Sequence, residues 1–251
     1  MLGLGTEVIP ARTFSSLLIG LDIIFLIFFA IILFNSKRYM TLIVGVLAGV
    51  LYFIVDYGIF YKFLGTREVL GGNTFWVLLW MSMSYGFTNF AWIWLWLSKD
   101  KKAFEWSLFI IAGWLCTALL SQSYGGNFAE ITTIRGTGDY HGFMALAMFA
   151  GYAILIINNI NGKKQKINIP WILTIGILVQ FSWEFILMIA GIRHVQTLPI
   201  IVNSLIETNM GLPYMFFIHA AVTRRRKEDL SLVDEGQGAN VDETERAKVQ
   251  A

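Results

Sequence analysis

The chain has 251 residues, of which 56% are hydrophobic, 15% aromatic and 14% charged, with a formal net charge of +2. A soluble domain of this length needs more polar surface than that, and a charge so near zero gives no reason to expect nucleic acid as a partner. The composition therefore excludes an ordinary water-soluble globule and implies a polytopic membrane protein whose first partner is the lipid bilayer.

In chain order, residues 1–13 form a short leading segment, followed by apolar runs at roughly 14–35, 41–64, 74–97, 104–122, 140–160, 170–191 and 199–222. Each is about the length that crosses a hydrocarbon core of roughly 30 Å. Backbone polar groups cannot stay unpaired in lipid, so each run is expected to be a helix, giving an all-α fold with seven transmembrane helices. The first run is long and lacks an Ala-x-Ala type cleavage signal, so it reads as a retained helix. The single cysteine, Cys116, leaves no partner for an intramolecular disulfide and reads as a small packing residue within the fourth helix.

The connections alternate in charge. "NSKR" (35–38), "SKDKK" (98–102), "NGKKQK" (161–166) and "TRRRK" (223–227) are rich in Lys and Arg, whereas the segments between them hold one Arg apiece. The positive-inside rule makes the first set cytosolic, with a non-cytosolic N-terminus and a cytosolic C-terminus. The membrane domain then spans 14–227, and the polar stretch 228–251 is expected to be a disordered cytosolic tail.

The first three and last three helices are weakly alike. Asp56 is followed by "GTR" (65–67) and Glu184 by "GIR" (191–193), and the next helices share a central glycine, Gly86 in "SMSYGFTN" and Gly211 in "ETNMGLPY". These spacings fit a parallel duplication of three helices joined by the fourth.

A carboxylate at the bilayer centre costs a few kcal/mol, so such residues face a bundle interior or cavity. Asp56, Glu184 and Glu207 qualify by position; Asp22 lies closer to a helix end and is the weaker candidate. With no Lys or Arg at the same depth, the three are expected to be partly protonated and so to be candidate proton donors. Helical spacing places Gln180, Trp183 and Glu184 together, aligns Asn203, Glu207, Gly211 and Tyr214, and groups Tyr85, Asn89, Trp92 and Trp96. Trp92, Trp94 and Trp96, near a boundary, read as interface anchors. Arg135, Asp139, His141, Arg193 and His194 in the far-side loops are candidates to cap a cavity, and Pro213 is expected to break the last helix. The histidines form no metal-ligand motif, and no phosphate loop or nucleophile elbow is present, so no cofactor is implied.

Seven helices in this length, "SKR" after the first, an acid among aromatics in "YFIVDYGIFY" (52–61), "FWVLLW" (75–80) and an acid in the last helix before a basic stretch together resemble the small membrane-bound terpene cyclases of fungal meroterpenoid and indole-diterpene pathways. The resemblance implies proton-initiated cyclisation of a prenylated, lipophilic substrate in the endoplasmic reticulum membrane, without a cofactor. Its acids fall by position on Asp56 and Glu207, although the family's Trp-Glu pair stands here at Trp183-Glu184. On that basis Asp56, Glu184 and Glu207 are the catalytic candidates, Tyr57, Tyr85, Trp183 and Tyr214 would line the pocket, and Asn89 and Asn209 would orient the acids. A small-solute transporter of the three-plus-one-plus-three helix type, and a seven-helix sensor or scaffold, are the alternatives.

Overall fold

The computed structural model describes residues 11–136, 140–162 and 166–249. Among these residues it contains helices α1 (Ser16–Asn35), α2 (Tyr39–Phe53), α3 (Thr74–Leu97), α4 (Ala103–Tyr124), α5 (Tyr140–Asn161), α6 (Ile169–Ile189) and α7 (Thr197–Val249). Each falls on one of the seven apolar runs, although α7 extends well past the end of its run. α2 does not end at Phe53 but widens into a π-helical stretch, Ile54–Phe63, that contains Asp56. Such widening is rare and concentrates at functional or strained sites.

The chain is mostly helical, and among the described residues five helical segments are long and apolar enough to cross a membrane: Ser16–Asn35, Tyr39–Phe63, Ala103–Asn127, Gly142–Asn161 and Ile169–Ile189. On α1 the inner face holds Leu18, Asp22, Phe25, Phe29 and Leu33, while Ile24, Ile27, Phe28, Ile31 and Phe34 stand exposed. A contiguous apolar surface of that kind suits lipid, not water. α3 falls short of the five in mean hydropathy, and it packs against α2, α4 and α6. Buried on most of its length, it carries Ser82, Ser84, Thr88, Asn89 and several tryptophans where a lipid-facing helix carries aliphatics. Trp92 and Trp94 are buried, and Trp92 and Trp96 both donate their indole N–H to Ser107 of α4, at 2.7 and 3.1 Å. The expectation of interface anchors is thereby corrected: these rings lock α3 to α4. Cys116 likewise lies exposed on α4 and is not a packing residue.

Small residues bring α2 and α3 together. A Cβ on Gly86 would meet the Cα of Gly49 at 2.6 Å, and one on Gly45 would overlap Phe87. This is the small-xxx-small spacing that lets membrane helices approach closely.

The helical frame also carries a small sheet that the sequence reading did not include. Three strands, β1 (Ala11–Ser15), β2 (Arg67–Leu70) and β3 (Glu130–Arg135), form an antiparallel sheet in the order β1-β3-β2. "EITTIR" holds four consecutive β-branched residues, Ile131 to Ile134, a composition that favours extended backbone. The α6–α7 connection joins through a bridge between Arg12 and Arg193. Four segments that the charge pattern groups on one side therefore meet in one layer. At the other end, Arg38 beside α2 clasps Asp100 beyond α3 through two bonds, of 2.7 and 3.1 Å.

The chain forms two compact units, Met1–Pro213 and Tyr214–Ala251. The second is the remainder of α7. Where the sequence predicts a tail without fixed structure, helix continues to Val249, and Pro213 lies inside α7 without ending it. No proline follows Pro213, and the good helix formers Glu, Ala, Lys and Arg recur along the segment.

Candidate functional site: buried acids beneath an arginine-bearing sheet

Side chains alternate between the two faces of a strand. The register pairs Arg12 with Thr133, Phe14 with Ile131, and Arg67 with Arg135, so all six share one face. That face is turned inward: Phe14, Ile131, Arg67 and Thr133 are buried, whereas Glu68 and Glu130 on the opposite face are exposed. One sheet face thus delivers three guanidinium groups to the end of the helix bundle, and Arg193 supplies a fourth.

These cations overturn the expectation that the central acids lack partners. Asp56, 2% exposed, accepts from Arg67 Nε at 2.7 Å and from Arg135 Nη2 at 3.0 Å, both at Oδ1. Arg67 also donates to the carbonyl of Gly136 at 2.8 Å and packs over the Phe60 ring. Glu184, fully buried, accepts from Arg193 at Oε2, and at Oε1 from Arg12 (3.4 Å), Asn203 (3.2 Å) and Gln180 (3.3 Å). Depth along the sequence misled here, because the connecting segments fold back onto the helices they leave. In both cases the return is made by Gly-x-Arg. Gly65 and Gly191 adopt left-handed φ values of 61° and 66°, a conformation natural to glycine, and turn the chain so that Arg67 and Arg193 reach the preceding acid.

Gln180 links the second ion pair to α7. Its amide nitrogen donates to Glu207 at 2.8 Å, and its carbonyl accepts from Tyr85 and Thr208, each at 2.6 Å. Glu207 is therefore joined to Glu184 through one amide and is half-buried. Arg12 remains cationic in this setting: burial pushes its guanidinium down to about 10, opposed by the charge of Glu184.

A partly open cavity lies beneath the sheet; the space free of protein atoms, counted together with the solvent at its open mouth, is about 580 Å³. Its walls come from α1, α3, α4 and α6, and include Trp80, Tyr85, Trp114 and Trp183; Arg12 and Arg135 enter it from the sheet. Trp183 packs edge-on against Trp114 at 4.8 Å and against Tyr85 at 6.0 Å. Asp22 lines the same cavity. It is 3% exposed and accepts from Trp80 Nε1 at 2.8 Å, and among the described residues it makes no salt bridge. The acid that sequence position ranks last is thus the one in the cavity without a cationic partner.

The remaining sequence candidates are dispersed. Tyr57 stacks in a cluster with Phe53, Tyr61 and Phe75 and is not a cavity residue. Asn89 is fully buried in α3 and does not contact the acids; neither of its amide atoms has a partner. Asn209 accepts from Tyr152 at 3.0 Å and donates to the Ser204 carbonyl at 3.4 Å, so it braces α5 and α7 instead of orienting an acid. Tyr214 belongs to the second unit and is exposed. His194 is exposed, and Asp139 and the His141 side chain lie outside the described residues. Sequence reasoning missed Arg12, Trp80 and Trp114. The strand alternation of Arg12 with Phe14 is the signal that was available for the first.

Comparison with protein-family models, curated proteins and solved structures returns no match.

Proposed function

We propose that the chain is a seven-span membrane enzyme that protonates a prenylated, lipophilic substrate and cyclises it through carbocations, with Asp22 as the proton donor. The observation that carries this reading is a buried carboxyl without a cation, set in a cavity walled by Trp80, Tyr85, Trp114 and Trp183. Proton-initiated cyclisation needs a carboxylic acid, a dry apolar enclosure and aromatic faces to hold the cation as it moves. Asp22 gives its proton to an epoxide oxygen or an olefinic carbon. The alkene electron pairs then close C–C bonds in turn, and the last cation loses a proton; one proton enters and one leaves, so substrate and product are isomers from either start, an opened epoxide keeping its oxygen as a hydroxyl.

Asp56, Glu184 and Glu207 take different roles in this account from those their positions suggest. Asp56 and Glu184 are held as ion pairs and anchor the sheet to the helices. Glu207, tied to Tyr85 through Gln180, is the candidate to receive the final proton. The sheet end faces away from the cytosol and the Lys- and Arg-rich connections face it, as the positive-inside rule expects. The endoplasmic reticulum membrane follows from the resemblance to the fungal enzymes. The two Gly-x-Arg returns also favour a duplicated three-helix unit, which keeps the transporter as a second reading.

The test is to express the full chain in membranes, supply farnesylated phenolics with and without a terminal epoxide, and search for isomeric products by mass spectrometry. A new isomer supports the cyclase. Unchanged substrate across the panel, together with its movement across sealed vesicles, supports the transporter instead.

A further inference from the structure

We infer that the sheet end of the cavity is a binding site for the anionic head group of a single-chain amphiphile, held between Arg12 and Arg135. This deepens the proposed function, and rests on it for the identity of the cavity as the substrate site.

The charge inventory is the first support. Among the described residues Arg12, Arg67, Arg135 and Arg193 converge at this end against Asp56, Glu184 and Glu207; with Asp22 neutral, carrying the proton it donates, one positive charge is in excess. Glu68 and Glu130 do not offset it, since they stand exposed on the outer face of the sheet. The second support is geometric. Of the four arginines, Arg12 and Arg135 line the cavity, while Arg67 and Arg193 are turned to the acids. Arg12 makes a single long contact, 3.4 Å to Glu184, so most of its five N–H donors are uncommitted among the described residues. Arg135 spends one nitrogen on Asp56, and its buried Nε has no hydrogen-bond partner. A buried donor without a partner, as at Arg135 Nε, is costly, and an anionic oxygen placed between the two side chains would satisfy it and take up the uncommitted N–H groups of Arg12.

The rest of the cavity suits what would follow such a head. Below the arginines the walls are Leu18, Trp80, Trp114, Trp183 and Ile186, apolar and aromatic. Asp22 lies about 9 Å of helix rise beyond the first residue of α1. A head fixed at the sheet therefore leaves the chain, not the head, beside the acid. The substrate class is an isoprenoid-type chain bearing a carboxylate or phosphate at one end and its reacting double bond or epoxide further along.

The experiment uses the full chain in lipid nanodiscs and reads quenching of tryptophan fluorescence by terminally brominated dodecanoate, its methyl ester and dodecyl phosphate. Saturable quenching by either anion at least tenfold tighter than by the ester is expected, and whichever anion binds tighter identifies the head. Arg12→Gln should remove that preference, Arg12→Lys should keep part of it, and Asp22→Asn should leave it intact. Equal binding of acid and ester, or an Arg12→Gln variant with the wild-type preference, overturns the inference. Head preference without any cyclised product counts against the cyclase reading alone, and product formation without head preference counts against this inference alone.

Discussion

The buried acids occupy two kinds of surroundings. Asp56 and Glu184 are each met by two guanidinium groups, one from a Gly-x-Arg return and one from the inward face of the sheet. Asp22 is met by an indole N–H and a cavity. The difference separates architecture from chemistry. A carboxylate engaged by two arginines is a strong fastener and a poor proton donor, because giving it a proton means losing both ion pairs. A carboxyl with no cation at hand is free to donate. Both kinds sit in apolar surroundings of similar depth, so burial alone does not distinguish them.

The largest effect should come from breaking a fastener. Glu184→Ala leaves the buried Arg193 and the half-buried Arg12 without their acid, and truncating one partner of a buried pair costs about 3–5 kcal/mol. Thermal unfolding of the solubilised protein should show this loss, with Asp56→Ala close behind. Asp22→Asn, which keeps an acceptor for Trp80, should change stability by about 1 kcal/mol or less. If the two kinds of variant lose stability equally, the distinction fails.

A smaller effect is expected where α2 and α3 touch. Gly86→Val places a branched side chain against the Gly49 backbone, and overpacking of this kind costs about 1–3 kcal/mol. Because α3 carries Trp80 and Tyr85, activity should fall along with stability, which sets it apart from Asp22→Asn.

The smallest concerns a pair at the opposite end of the helices. Partial burial works against the charge of Asp100, but hydrogen bonds from Arg38 and the Lys102 amide hold its carboxyl below the ordinary range. Since the folded value is the lower one, the pair stabilises the protein above the unfolded-state value of about 4. That contribution fades as pH falls through the folded value. Asp100→Asn should flatten this acid limb slightly in a melting-temperature profile.

Much of the helical frame is legible in the sequence, because a run of about 20 apolar residues in lipid has few options. The grouping of connections is legible too: the segments with one arginine each are those that meet in the sheet. What is not legible is their use. Arg135 and Arg193 read as candidates to cap a cavity, and Arg135 does line one, but nothing local in "GTR" or "GIR" reveals that the chain reverses over its own acid. That reversal needs a left-handed glycine and a strand partner 60 or more residues away. Asp22 was underrated for the same reason. Its distance from a helix end is visible in the sequence, but the cavity beside it is assembled from α3, α4 and α6.

The most direct test of this separation is product formation by Asp22→Asn in the presence of the prenylated substrate that the wild type converts. Removing the general acid should lower turnover by about 10²-fold or more, with the melting temperature and the binding of the anionic amphiphile preserved. An Asp22→Asn protein that turns over at the wild-type rate would contradict the account and return the chemistry to the arginine-paired acids or to Glu207.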